Sequence, residues 1–132
     1  MSHEIYNPDD LTAPLGLYNH VAIADPGRVI HIAGQVGIGV DGERAADFVA
    51  EMRQVFVNLE RALASAGAGF ADVVKFTTFL TRRTDLGSFM STRRELFAEL
   101  FPDGRYPPNT LLFVQGLVEE ALHIEIEAVA VK

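Results

Sequence analysis

A chain of 132 residues can bury one hydrophobic core but not two, so residues 1–132 read as a single domain. Its 48% hydrophobic and 22% charged residues are globular proportions, and the absence of cysteine excludes disulfides, thiol nucleophiles and thiolate metal sites. A formal charge of −7, with basic residues paired only at Arg82-Arg83 and Arg93-Arg94, repels a phosphate backbone, so no nucleic-acid partner is expected.

The chain opens without a basic stretch or an apolar run, and no later apolar run reaches membrane-spanning length. A cytoplasmic protein with no membrane partner is the expectation. Residues 1–16, with Pro8, Pro14 and Asp9-Asp10, read as an irregular surface arm. Tyr18 to Ile23 reads as a short strand, Asp25-Pro26-Gly27 as a turn, and Arg28 to Val36 as the returning strand of a hairpin. Gly37-Ile38-Gly39-Val40-Asp41-Gly42 matches the dinucleotide fingerprint G-x-G-x-x-G, but repeated parallel strands are missing and the acidic residue would fall within a helix. The glycines therefore read as a turn.

Phe48, Met52, Val55, Phe56, Leu59 and Leu63 recur at helical spacing, which predicts a helix over 47–66, capped by Asp47 and closed by Gly67. Its opposite side, Glu51, Arg53, Glu60 and Arg61, reads as a solvated face. Val73 to Leu80 is β-branched and aromatic on both faces, as in a central strand. Thr84 or Asp85 can cap a second helix running to about Phe101, with an apolar stripe of Leu86, Phe89, Met90, Leu96, Phe97, Leu100 and Phe101. The pair Pro107-Pro108 lacks backbone donors, so the next strand starts at Asn109.

The last segment alternates. Leu122, Ile124, Ile126, Ala128 and Ala130 share a core face, while His123, Glu125, Glu127, Val129 and Val131 share the other. Two carboxylates two residues apart need water or a polar cavity, and a strand in a solvated sheet explains them without any function. The order β-β-α-β-α-β-β contains two strand-helix-strand crossovers, whose handedness puts both helices on one face of a mixed sheet. The bare face would carry Val29, His31, Lys75 or Phe79, Phe113 and Val129, apolar enough to call for cover by another subunit. His20, His31 and His123 show no ligand spacing and no G-x-S-x-G elbow occurs, so neither a metal site nor a hydrolytic triad is expected.

Pro107-Pro108-Asn109-Thr110 before a strand, and Ile124-Glu125-Ile126-Glu127-Ala128-Val129-Ala130-Val131 at the end, resemble the C-terminal signature of the Rid (YjgF-type, RidA-like) reactive-intermediate deaminases. Gly16-Leu17-Tyr18-Asn19-His20, Ile32-Ala33-Gly34-Gln35, Ala66-Gly67-Ala68-Gly69-Phe70-Ala71-Asp72-Val73-Val74-Lys75 and Thr77-Thr78-Phe79-Leu80-Thr81 extend the likeness over nearly the whole chain. The resemblance implies an α+β, chorismate-mutase-like fold, a homotrimer, no cofactor, and pockets for an imine or enamine metabolite at the subunit interfaces.

By the same resemblance Glu125 would hold the hydrolytic water, Tyr18 would wall the pocket, and the backbone at Gly34 and Gln35 would lie near the ligand, with Ala33 where relatives often have serine. Two further positions depart from the family. His20 replaces a glutamine and can act as an acid or base near neutral pH or serve structurally. Asn109 replaces the arginine that grips the substrate carboxylate, and an amide supplies donors without charge. Three functions stay open: an imine or enamine deaminase, a non-catalytic trimer that binds a small metabolite, and the ribonuclease or translation-inhibitor role given to some relatives.

Overall fold

A computed structural model describes residues 3–132, so the first two residues of the arm, Met1 and Ser2, lie outside the described residues. The strands are β1 (His3–Tyr6), β2 (Val21–Ala24), β3 (Val29–Val36), β4 (Val73–Leu80), β5 (Asn109–Phe113) and β6 (Ile124–Val131), with helices α1 (Phe48–Ser65) and α2 (Leu86–Leu100). The main sheet has the order β3-β6-β4-β5, in which β6 is antiparallel to both neighbours and β5 runs parallel to β4. Both crossovers run through helices, as connections between strands that run the same way in one sheet require. No helix among the described residues is long and apolar enough to cross a membrane.

The predicted hairpin is corrected. β2 pairs not with β3 but with β1, from His3 opposite Ala24 to Tyr6 opposite Val21, so the start of the arm is a strand rather than irregular chain. Four residues that begin with a histidine and carry a glutamate show little strand signal alone; tertiary contacts supply it. The His3 ring bonds the Asp72 carbonyl through Nε2 at 3.0 Å, and Arg105 donates to the His3 carbonyl.

α1 begins and ends as its sequence dictates. The Asp47 carboxylate accepts from the Ala50 N–H at 2.8 Å. At the other end Gly67 takes a left-handed φ of 74°, while the Gly67 and Ala68 N–H groups reach back to the Ala64 and Leu63 carbonyls. α2 differs: Asp85 caps no N–H with its side chain, and its carboxylate accepts from Arg82 Nε at 2.7 Å instead. The core between helices and sheet is aromatic, with Phe56, Phe70, Phe76, Phe97 and Phe101 in edge and tilted contacts. Leu122, Ile124, Ile126, Ala128 and Ala130 are buried as their alternation predicts.

Glu51 overturns the solvated reading of its side of α1. It is only 6% exposed, and its carboxylate accepts from the backbone N–H of His123 at 2.6 Å and of Ile124 at 3.1 Å. α1 thereby fixes the entry of β6, and those two donors compensate the buried charge.

Candidate functional site in two half-pockets

The register of the sheet sorts the candidate residues. Asn109 stands opposite Phe76 and Leu111 opposite Thr78, so Asn109 belongs to the helix-covered face. Glu125 stands opposite Val36 on one side and Phe79 on the other, on the open face. Phe76 and Phe79 are an odd number of residues apart on one strand, so within a single chain the sheet separates Asn109 from Glu125.

On the helix-covered side a cavity of about 280 Å³ lies between α2 and β5. Leu86, Met90, Leu111 and Phe113 form its apolar walls, and Tyr18, Asn109 and Arg93 are its polar groups. Phe113 is thus corrected from the open face to this one: it stands opposite the fully buried Leu80, and Leu112 takes the open-face position opposite Phe79. The Asn109 amide oxygen accepts from the Thr78 hydroxyl at 2.8 Å, which leaves its NH₂ group as the available end. The Tyr18 hydroxyl accepts from the Leu15 N–H at 3.2 Å, and its ring meets the His20 ring edge-on at 5.7 Å. His20 itself is anchored outside the cavity, with Nε2 on the Thr12 carbonyl at 2.7 Å and its N–H on Asn7.

Arg93 is the polar residue that the sequence reading passed over as half of a surface basic pair. It is 3% exposed. Its guanidinium lies over the Phe89 ring at 4.8 Å, one N–H reaches the Met90 sulfur at 3.3 Å, and Nε is buried with no hydrogen-bond partner. Burial lowers its pKa to about 10 against the opposing influence of Tyr18, so it stays cationic at neutral pH. A signal was present in the sequence: Arg93 falls four residues after Phe89 and four before Phe97, on the apolar stripe of α2.

The open face carries the second group. β3 bulges between Ile32 and Gln35, and Gly34 in that bulge lies against the Glu125 side chain, where any Cβ would overlap the carboxyl. Partial burial, reinforced by the neighbouring Glu127 carboxylate, raises the Glu125 pKa above its ordinary 4.5. Among the described residues no side chain donates to this carboxyl. Elsewhere on the open face Val29, opposite Val131, is 57% exposed, and nearer Glu125 Leu112, opposite Phe79, is 42% exposed, while Lys75 donates to Thr110 at 2.7 Å. Gln35 belongs to neither group: it opposes the core residue Ile126 and sits in a shallow depression with Asn58 and Arg61 of α1.

A mixed four-stranded sheet with two helices on one face, a small cavity under the second helix and a glycine-backed carboxylate on the open face defines an α+β domain of the chorismate-mutase-like class. The family model described as Endoribonuclease L-PSP matches residues 10–132, and the chain belongs to that family, the Rid or YjgF family. A solved structure of the same fold, the Rid-family protein of unknown function YyfB from Yersinia pestis, superimposes with a TM-score of 0.85 at 33% identity, with all of both chains covered. The 2-iminobutanoate/2-iminopropanoate deaminase of Escherichia coli K12 is 31% identical over 121 residues, 91% of this chain and 92% of the relative. A RutC family protein of Haemophilus influenzae is 30% identical over 123 residues, with coverage of 91% and 92%.

Proposed function

We propose that the protein is a cytoplasmic homotrimer that hydrolyses a small imine or enamine in clefts between subunits. The Glu125 carboxyl, set against Gly34 with its pKa raised, is the observation that carries the reading. A carboxyl that gains and loses its proton closer to neutrality is a better acid-base catalyst for this chemistry than an ordinary one. Glu125 takes a proton from water as the oxygen adds to the C=N carbon. The resulting carbinolamine then loses ammonia as nitrogen is protonated and the C–N bond breaks, leaving a carbonyl.

The sheet supplies the argument for more than one chain. Tyr18 and Asn109 lie on one side of it and Glu125 on the other, so a ligand that touches all three needs the open face of one copy against the cavity mouth of another. The exposed Val29 and Leu112 side chains favour covering that face. The deaminase relative supports the reaction class.

Imine consumption in a semicarbazide-coupled assay tests this reading with wild type, Glu125→Ala and Asn109→Arg. Wild type accelerates imine loss, Glu125→Ala abolishes most of the acceleration, and Asn109→Arg raises activity on imino acids derived from serine or threonine if the longer cation fits. A wild-type rate that Glu125→Ala leaves unchanged would remove the role of Glu125. Light scattering after gel filtration gives the mass of three chains, and a monomer at micromolar concentration would sink the shared cleft.

A non-catalytic metabolite-binding trimer is the second reading. It is favoured by Asn109, whose uncharged amide is already bonded to Thr78 where a charged side chain is the family pattern. The nuclease function in the family model's description is opposed by the charge of −7.

A further inference from the structure

We infer that Arg93 is the anion anchor of the α2 cavity, and that the ligand is a small carboxylic acid whose carboxylate meets this guanidinium while its apolar body lies against Met90, Leu111 and Phe113. The inference rests on the proposal that the cavity is the ligand site, and it adds the class of ligand. Asn109 had made a carboxylate look hard to hold, because its amide carries no charge. The fold brings a different cation to the same cavity, from the helix rather than from the strand mouth.

Three observations converge on the guanidinium. It is 3% exposed and yet forms no ion pair among the described residues, and it donates there to a thioether, a weak acceptor. Its Nε has no partner at all. A buried charge in that condition is costly, and structures tolerate it where an external group completes the bonding. Next, the ring of Phe89 supports one face of the guanidinium, which leaves the N–H donors in its plane for a planar acceptor such as a carboxylate. Finally, Gly16 leaves room for it: a Cβ there would stand 2.5 Å from Arg93 Nη2, so with the loop before Tyr18 where it is, a side chain at residue 16 would push the guanidinium out of its present position. The cavity, about 280 Å³, lies just under the usual range for metabolite pockets, and its remaining polar groups are the Tyr18 hydroxyl and the Asn109 amide. A single carboxylate matches one cation, whereas a phosphate dianion would be left undercompensated.

The test uses stable probes in place of a reactive imine: 2-oxobutanoate and its uncharged amide, titrated into the full chain and followed by amide NMR shifts. Wild type binds the acid at least about 30-fold more tightly than the amide, the ratio expected when one partner of a buried charge pair is removed. Arg93→Met, which keeps the bulk and the apolar contacts, loses that preference, and Arg94→Met, which removes an equal charge from an exposed neighbour, keeps it. Gly16→Ala weakens acid binding by displacing the guanidinium. Equal affinity for acid and amide in wild type, no binding of either at tens of millimolar, or an Arg93→Met protein that still prefers the acid would each overturn the inference. Should Arg93→Met fail to fold, the wild-type comparison and Gly16→Ala still decide. The deaminase reading fails separately: a protein that selects the acid through Arg93 but never accelerates imine loss keeps the anchor and loses the reaction. Imine hydrolysis that is intact in Arg93→Met loses the anchor and keeps the reaction.

Discussion

Glu51 and Glu125 are both carboxylates beside the start of β6, one reaching it from the helix-covered side and the other projecting from the open face, and they are treated in opposite ways. Glu51 is almost wholly buried, yet two backbone N–H groups complete its bonding. Glu125 is less buried than Glu51 and has no donor among the described residues; its partial burial, and then the neighbouring Glu127 carboxylate, hold its proton more tightly than usual. The contrast separates architecture from chemistry. A carboxylate satisfied by backbone holds a strand in place, while one left short of donors is reactive toward protons and available to a ligand.

Removing each carboxylate in turn gives the sharpest test of that contrast. Glu51→Ala leaves one buried and one partly buried N–H group without an acceptor and takes away two charge-assisted bonds, so urea unfolding should register a loss of about 3 kcal/mol. Glu51→Gln keeps an acceptor and should lose less. A loss below about 1 kcal/mol for the alanine variant would show that the β6 entry does not depend on this carboxylate.

Glu125→Gln should do the reverse, lowering imine turnover about 100-fold, the lower range for removal of a general acid-base, without lowering stability at neutral pH. The sign follows from the raised pKa. The native state holds this proton more tightly than the unfolded chain, so the contribution of Glu125 to stability is fully present below about 4.5 and is lost as pH rises through its higher native value. Stability measured against pH should therefore fall over that window in wild type and not in Glu125→Gln. Matching curves for the two proteins would mean that Glu125 is as well solvated as a free carboxyl.

A smaller effect distinguishes the two helices that pad the covered face. Asp47→Ala should cost about 1 kcal/mol because it empties a formed cap. Asp85→Ala should cost only a few tenths, about what one partly exposed ion pair contributes, since its carboxylate bonds Arg82 rather than the helix. Equal losses in thermal melts would contradict the observed difference in capping. The smallest expected effect is none: a labelled single-stranded RNA should show no anisotropy change with micromolar protein at physiological salt, given the charge of −7. Salt-sensitive binding would reverse that expectation.

Periodicity and punctuation made most of the fold legible from the chain itself. The helical spacing from Phe48 to Leu63, the Asp47 and Gly67 ends, the apolar Val73–Leu80 strand, the proline pair before Asn109 and the alternation of β6 are local signals, each obeying the geometry of one element. The family and its mixed α+β sheet followed from the same residues. Contacts between distant segments were beyond that kind of reading. β1 is a strand because it pairs with β2, with His3 also held by Arg105 from across the fold, Glu51 is buried because β6 starts beneath α1, and Phe113 faces α2 because the register of β5 places it opposite Leu80. Arg93 shows the limit most clearly: its sequence offers a charged pair and a place on an apolar stripe, two signals that disagree. Only the packing of the loop at Gly16 against α2, with the Arg93 guanidinium laid over the Phe89 ring of the same helix, decides that the stripe prevails and that the charge enters a cavity. Local pattern encodes which face an element buries, whereas the partner that a buried polar group meets depends on residues tens of positions away, which only the folded chain brings together.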